Sequence, residues 1–524
     1  MTKLKYYVKP IIINLLILLT MSVTMVSCQD SDDILPIPEP IPEPTEESHQ
    51  PSIVSVSFSA ELNPNQLIED AQCEIIGDSI VECWIWNTIG DKYLIPEIEY
   101  KGDAVYVDSL QITSGKTKLD FNKPLVLTVV SDSLRKDYSV YVYSFTGLPV
   151  LQIETAGRAK IISKDEYLRA SFKLVENIRT HSSFGVILDS VNIKGRGNSS
   201  WDIMPKKSYR LKFDNKISLF DDPKDKSWVL LANYSDKTCL RNHTAFYMGS
   251  ISKLDYTPRF HFVELILNGM YMGNYQLGEK VKIGKDRVNV GKDGFLLEID
   301  AKATPDEVTF RTPHLEYPVN IKDPDVAVDD EDYNYAKDFV MMAENALYSE
   351  NFTDKDEGWQ KYIDMESFVD WYLINEIAKN NDAAFYSSCY MSLRRGGKLK
   401  MGPLWDFDIA FGNINYNDNF NTSGFWVKRA SWYEQLFKDP AFVKRVKERF
   451  NYFYSRKDDI MREINKNANY LRYSVEEDNN IWGTLYKYTW PNYVVCGSYL
   501  NEVQYLKNWI NERFEWLKGE FDKM

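Results

Sequence analysis

The chain of 524 residues has room for about three domains. Its 44% hydrophobic and 26% charged content sit close to globular averages. A net charge of −14 without a basic cluster argues against nucleic acid as a partner and would repel an acidic membrane surface.

The first elements belong to processing rather than to a fold. "MTKLKYYVKP" supplies lysines and "IIINLLILLTMSV" a short apolar core, well below the roughly 20 residues that span a bilayer. "MVSC" ends the run, with Ser27 directly before Cys28. Residues 1–27 resemble a bacterial lipoprotein signal, which implies a lipid on Cys28 and attachment to a membrane through it. An ordinary secretory signal with an incidental cysteine is the alternative. "QDSDD" resembles the surface-export signal of Bacteroidetes lipoproteins, which implies an outer-membrane lipoprotein exposed at the cell surface. The stretch 28–51, with "ILPIPEPIPEPTEES", predicts an extended, semi-rigid tether.

Five cysteines remain: Cys73, Cys83, Cys239, Cys389 and Cys496. That odd, sparse set is no disulfide framework, although one bridge between Cys73 and Cys83 across a hairpin is open. Residues 52–147 read as all-β. "SIVSVSFSA", "CEIIGDSIVECWIW", "AVYVDSLQI", "PLVLTVVS" and "YSVYVYSF" alternate and are parted by Gly, Asp and Asn turns. They predict a small immunoglobulin-like sandwich acting as spacer or binding module.

"TGLPVLQIET" marks the crossing into a larger unit over 148–524. Its first half is mixed. "GVILDSVNIKGRGNSSW" and "KKSYRLKF" predict strands and "DKTCLRNHTAFYMGSIS" a helix. In "FHFVELILNGMYMGNYQLGEKV" two apolar runs flank Asn268-Gly269, a two-residue hairpin signal. The second half carries apolar residues at helical spacing in "DYNYAKDFVMMAENALY", "MESFVDWYLINEIAKN", "AFVKRVKERFNYFYSRKDDIMREI" and "LNEVQYLKNWINERFEWLKGEF".

The candidate chemistry lies between these helices. In "GPLWDFDIAFGN" a strand reading puts Trp405, Phe407, Ile409 and Phe411 on one face and Asp406 and Asp408 on the other. Two carboxylates beside a buried face repel and lose solvation, so a divalent cation is the expected compensation. Upstream, "AFYSSCYMSL" and "KLKMGPLW" predict a hairpin about Gly396-Gly397. A register centred there brings Asp408 opposite Phe385 and Asp382 to the same open end. Pro403 cannot donate to the ladder, so register can slip there. Asp382, directly after a helix, is the candidate base for a substrate hydroxyl. Asp406, then Asp408, are candidate ligands for Mg²⁺, with Asn381 able to add an amide oxygen. "GRGNSSWDIMPKKSYRLKF" offers Arg196, Lys206, Lys207, Arg210 and Lys212 for phosphate. It is neither a Walker loop nor a dinucleotide fingerprint.

Taken in order, "IKGRGNSSWDIMPKKSYRLKF", "LLANYSDKTCLRN", "NGMYMGNYQLGEKV" and "NEIAKNNDA…PLWDFDIAFGN" resemble the spore-coat protein H (CotH) family of atypical kinases. "LKNWINERFEWLKGEF" is similar to that family's usual ending. The resemblance implies a divergent kinase-like fold, ATP, Mg²⁺ or Mn²⁺, and phosphorylation of Ser or Thr in a protein substrate. By analogy with the kinase lysine–glutamate pair, Glu279 or Arg241 is a candidate ion-pair partner for the phosphate site. The expected class is α+β: an immunoglobulin-like sandwich, then a kinase-like domain, mixed at first and mainly helical later. The chain departs from the family's best-known setting, because an exported lipoprotein has no obvious ATP supply. An inactive kinase-like module serving as adhesin or glycan binder is therefore the second reading.

Other chemistries find less support. The five histidines have no zinc spacing, and no Gly-x-Ser-x-Gly elbow occurs. "DPDVAVDDED" lacks the glycine and spacing of an EF-hand loop. Asp382 and Asp408 as paired glycosidase carboxylates stay a minority reading.

Overall fold

The structure, a computed structural model, describes residues 50–86, 91–175 and 186–524. The leader, Cys28 and the Pro/Glu tether lie outside the described residues. Among the described residues no helix is long and apolar enough to cross a membrane.

Alternation of apolar and polar residues builds the N-terminal β-rich region. A three-stranded sheet (Ala71–Gln72, Ser52–Phe58, Glu97–Lys101) and a six-stranded sheet enclose one core. In the larger sheet Ile80–Ile85 runs parallel to Leu134–Ser144. Val81, Cys83 and Ile85 point inward at every second position. All five described cysteines are free. Cys73 lies one step beyond the Glu74–Glu82 pair, so its thiol meets that of Cys83 across the strands.

The next unit opens with seven strands closed into a barrel: Val150–Thr155, Leu168–Val175, Val186–Arg196, Ser208–Ile217, Asp225–Leu231, Met270–Glu279 and Phe260–Leu267. Tyr209, Leu211 and Phe213 join Val191, Ile193 and Leu277 in its core. The intervening Arg210 and Lys212 therefore face outward, as do Lys194 and Arg196 beside them. Asn268 and Gly269 both take positive φ between the paired Leu267 and Met270, the turn the Asn-Gly pair predicted.

A second sheet of five strands follows, with Phe295–Ile299 at its centre between Val319–Asp323 and Cys389–Leu393. Helices Glu331–Leu347, Met365–Ala378, Pro440–Ser455, Lys457–Trp482 and Tyr499–Lys523 form the rest of the main core. The long segment expected as one helix breaks at Arg456, and its second half runs on to Trp482.

The strand expected through "WDFDIAF" is absent. The hairpin pairs Met391 with Met401 and Leu393 with Leu399, one residue from the expected register, and its second strand stops at Met401. Beyond Pro403 the backbone finds other partners. Phe407 N–H donates to Asn242 Oδ1 at 2.8 Å and Phe411 N–H to the Ala378 carbonyl at 2.8 Å. Asp406 and Phe411 adopt left-handed φ of 65° and 50°, which ends the alternation. Trp405, Phe407 and Phe411 are buried nevertheless.

Candidate functional site

The outer face of the barrel looks across a cleft of about 1240 Å³ toward the five-stranded sheet and the Asp406 segment. Arg196 and Arg210 line it on the barrel side, with Lys194 and Lys206. Asp382, Asp406 and Asp408 line the other side, beside Glu298 and Asp300. Cations thus line the barrel side of the opening, while the acids of the other wall share it with Lys302 and Lys322.

Helix Met365–Ala378 delivers Asp382. Its N-cap, Asp364, accepts from the amide of Ser367, and Lys379 closes its C-terminus in the left-handed conformation. A single 3-10 turn, Asn381–Ala383, then aims Asp382 into the cleft. Asn381 Nδ2 donates to Asp382 Oδ1 at 3.0 Å. Burial, then the charge of Asp406, pushes the Asp382 carboxyl up to about 6. Burial and Asp406 likewise push Asp408 up to about 7, although Ser235 Oγ donates to its Oδ2 at 2.7 Å.

Asp406 carries the more open carboxylate, with one long contact from Ser388 Oγ at 3.5 Å. Among the described residues no three acidic, His or Cys side chains converge into a ready-made metal cage. Two carboxylates with free lone pairs suit Mg²⁺, which keeps waters and completes its shell with phosphate oxygens. Asn381 does not offer its amide oxygen. Asn417 and Asn419 already donate to that Oδ1, at 3.0 and 3.2 Å, so both lone pairs are engaged.

The basic motif divides. Arg196 is half-buried over the Trp405 ring at 5.4 Å, and desolvation there lowers its pKa against the pull of Asp406. Arg210 Nε is buried with no hydrogen-bond partner, an open donor at the cleft. Lys207 turns away to the Trp201 carbonyl, and Lys212 is exposed outside the cleft lining. Gly195 lets the indole of Trp201 cover the strand, since a Cβ there would stand 2.3 Å from that ring.

Neither candidate pairing partner reaches the lysines that the sequence offered for phosphate. Glu279, fully buried, bonds Arg259 at 2.6 Å and the Tyr256 hydroxyl at 2.9 Å. Arg241 pairs with Asp236 at 2.5 Å, and its Nε donates to the Ala410 carbonyl at 3.1 Å. It anchors the segment carrying Asp408. The acid that Lys206 meets is Asp478, at 2.5 Å, on helix Lys457–Trp482.

Within this geometry the comparison with known families is decisive. The model described as CotH kinase protein matches residues 193–517. The chain belongs to that family. The CotH match takes in both walls of the cleft, from Lys194 to Asp408, and ends after Arg513. The β-rich region lies outside it. No curated protein matches the chain. A solved structure from Bacteroides thetaiotaomicron with a provisional glycoside-hydrolase assignment is 18% identical, over 36% of this chain and 47% of its own. Its TM-score of 0.17 carries no argument about fold or activity.

Glu298 and Asp300 escaped the sequence reading, though "FLLEIDAK" carries the same one-apart acids that singled out Asp406 and Asp408. Burial pushes Glu298 up to about 7 despite Lys322 at 3.3 Å. Its folded value exceeds the unfolded one of about 4.5, so the folded state holds the extra proton between them. That contribution is complete below pH 4.5 and lost as pH rises through 7. Glu298→Gln is therefore expected to melt with the wild type at pH 4.5 and above it at pH 8. Equal melting temperatures at both pH values would contradict the assignment.

Proposed function

We propose that this cleft transfers the γ-phosphoryl group of ATP to a Ser or Thr hydroxyl of an extracytoplasmic protein. The opposition of a cationic barrel face and three acids, inside the region that matches the CotH kinase model, carries the reading. Arg196, Arg210 and Lys206 neutralise the phosphates, and Lys194 adds charge beside them. Asp406 and Asp408 would hold the Mg²⁺ or Mn²⁺, which would supply Lewis-acid charge there. Asp382 takes the proton of the acceptor hydroxyl as the new O–P bond forms and ADP leaves with the electron pair of the broken one. A raised carboxyl suits that task, being closer to neutrality than a free aspartate. A lipid on Cys28 would keep the cleft at the cell surface, where the acceptor would be met.

The second reading, an inactive module that binds glycan or protein, draws on aromatics at the cleft mouth. Trp490 stacks on Tyr416 there, with centroids 6.0 Å apart. Thermal stability separates the two. A ligand that binds only the native state at a hundred times its Kd stabilises by about 2.7 kcal/mol. ATP with Mg²⁺ or Mn²⁺ is expected to raise the melting temperature of the wild type. Asp406→Ala should fold but lose that rise. No rise for the wild type with either metal would favour the binding module, and unfolding of Asp406→Ala would make that acid structural.

A further inference from the structure

Helix Lys457–Trp482 offers two consecutive acids to two different parts of the molecule. On one side Asp478 takes Lys206, with side chains only 10% and 1% exposed. The same Oδ1 accepts the amide of Asn274 at 2.9 Å. That approach depends on Gly273, whose φ is 91° and where a Cβ would stand 2.0 Å from the carboxylate oxygen. Lys206 gives a second N–H to the Asn274 carbonyl at 2.5 Å, and its ammonium stands 4.7 Å from the centroid of the Tyr275 ring at the lining of the cleft.

On the other side Glu477 takes Lys92, at 2.9 Å, with both side chains under 10% exposed. Lys92 belongs to the β-rich region, outside the CotH match. Further contacts hold the same surfaces together. Tyr143 donates to the Gly269 carbonyl at 3.0 Å and Thr146 to Glu264 at 2.5 Å, both on the hairpin that carries Asn274. Trp86 meets Tyr473 on the helix, ring centroids 6.3 Å apart.

A buried charge pair is directional and intolerant of losing one member. Lys92 therefore does more than attach a spacer. We infer that the β-rich region is a working part of the cleft: through Lys92 and Glu477 it fixes the helix whose Asp478 positions Lys206. The role of Lys206 as a phosphate contact rests on the proposed function, whereas the chain of pairs does not. Lys92 and Glu477 are positioning residues and touch no substrate.

The test labels lysine amines of the purified protein with an acylating reagent and follows Lys206 by mass spectrometry. Lys92→Ala and Glu477→Gln are expected to raise the Lys206 labelling rate, and to raise KM for Mg-ATP about tenfold with kcat kept. The exchange Lys92→Glu with Glu477→Lys is expected to restore protection. Tyr143→Phe, which removes a different contact of the same region, should leave Lys206 protected. Wild-type labelling in both single variants would overturn the inference, and so would an equal rise in Tyr143→Phe. Should the wild type bind no nucleotide, the kinase reading fails while the labelling still decides the inference. Glu477→Gln keeps the side-chain shape and serves if Lys92→Ala does not fold.

Discussion

Asp382→Asn is expected to lower phosphoryl transfer by about 10²–10⁴-fold while its melting temperature stays level or rises. The two halves follow from one environment. Burial and Asp406 disfavour the charged carboxylate in the folded protein, so at neutral pH its removal relieves the fold. The reaction needs what stability does not: a basic oxygen within reach of the acceptor hydroxyl. Asparagine keeps the shape and loses the basicity. Transfer of labelled phosphate beside a melting curve checks both. Activity within a few-fold of wild type would remove Asp382 as the base.

The largest effect on stability is expected from Arg513→Leu, about 3–5 kcal/mol, the usual consequence of leaving a buried partner charge alone. Arg513 and Glu376 are both fully buried and meet at 2.7 Å. Arg513 also donates to the carbonyls of Thr422 at 2.7 Å and Gly424 at 2.8 Å. Glu376 in turn accepts the amides of Trp426 at 2.7 Å and Lys428 at 2.9 Å. One pair thus ties the terminal helix to the loop whose Asn417 and Asn419 hold Asn381 beside Asp382. Urea unfolding should show the loss in midpoint with little change in slope. A loss under 1 kcal/mol would mean that the pair contributes little.

Local patterns carried much of the fold. The Asn268-Gly269 turn, the strands on either side of it and the helices of the second half follow from residue spacing and turn chemistry alone. Closure of the barrel does not, because it depends on pairing Val150–Thr155 with Phe260–Leu267 far along the chain. The Asp406 segment misled for a different reason. Its alternation is genuine in the burial of Trp405 and Phe407, yet the backbone is fixed by Asn242 and Ala378 rather than by a neighbouring strand. Asp382, Asp406 and Asp408 share one cleft even so.

The basic motif was legible only as a list of charges. Arg196 and Arg210 line the cleft, whereas Lys207 and Lys212 differ from them only through contacts made in three dimensions. The partner of Lys206 was beyond reach. Asp478 lies 272 positions away, on a helix with no motif to mark it, whereas Glu279 and Arg241 were near the motifs and are engaged elsewhere. Gly273 was the available hint: a glycine inside a strand often marks the close approach of another group.

Incubation of the purified wild type with γ-labelled ATP and Mg²⁺ or Mn²⁺, beside Asp382→Asn and Asp406→Ala, tests the central claim most directly. The account predicts label on Ser or Thr, in the protein itself or in an added protein acceptor, from the wild type alone. Transfer undiminished in both variants would contradict the assigned site. Its absence from the wild type across nucleotides, metals and acceptors would contradict the kinase.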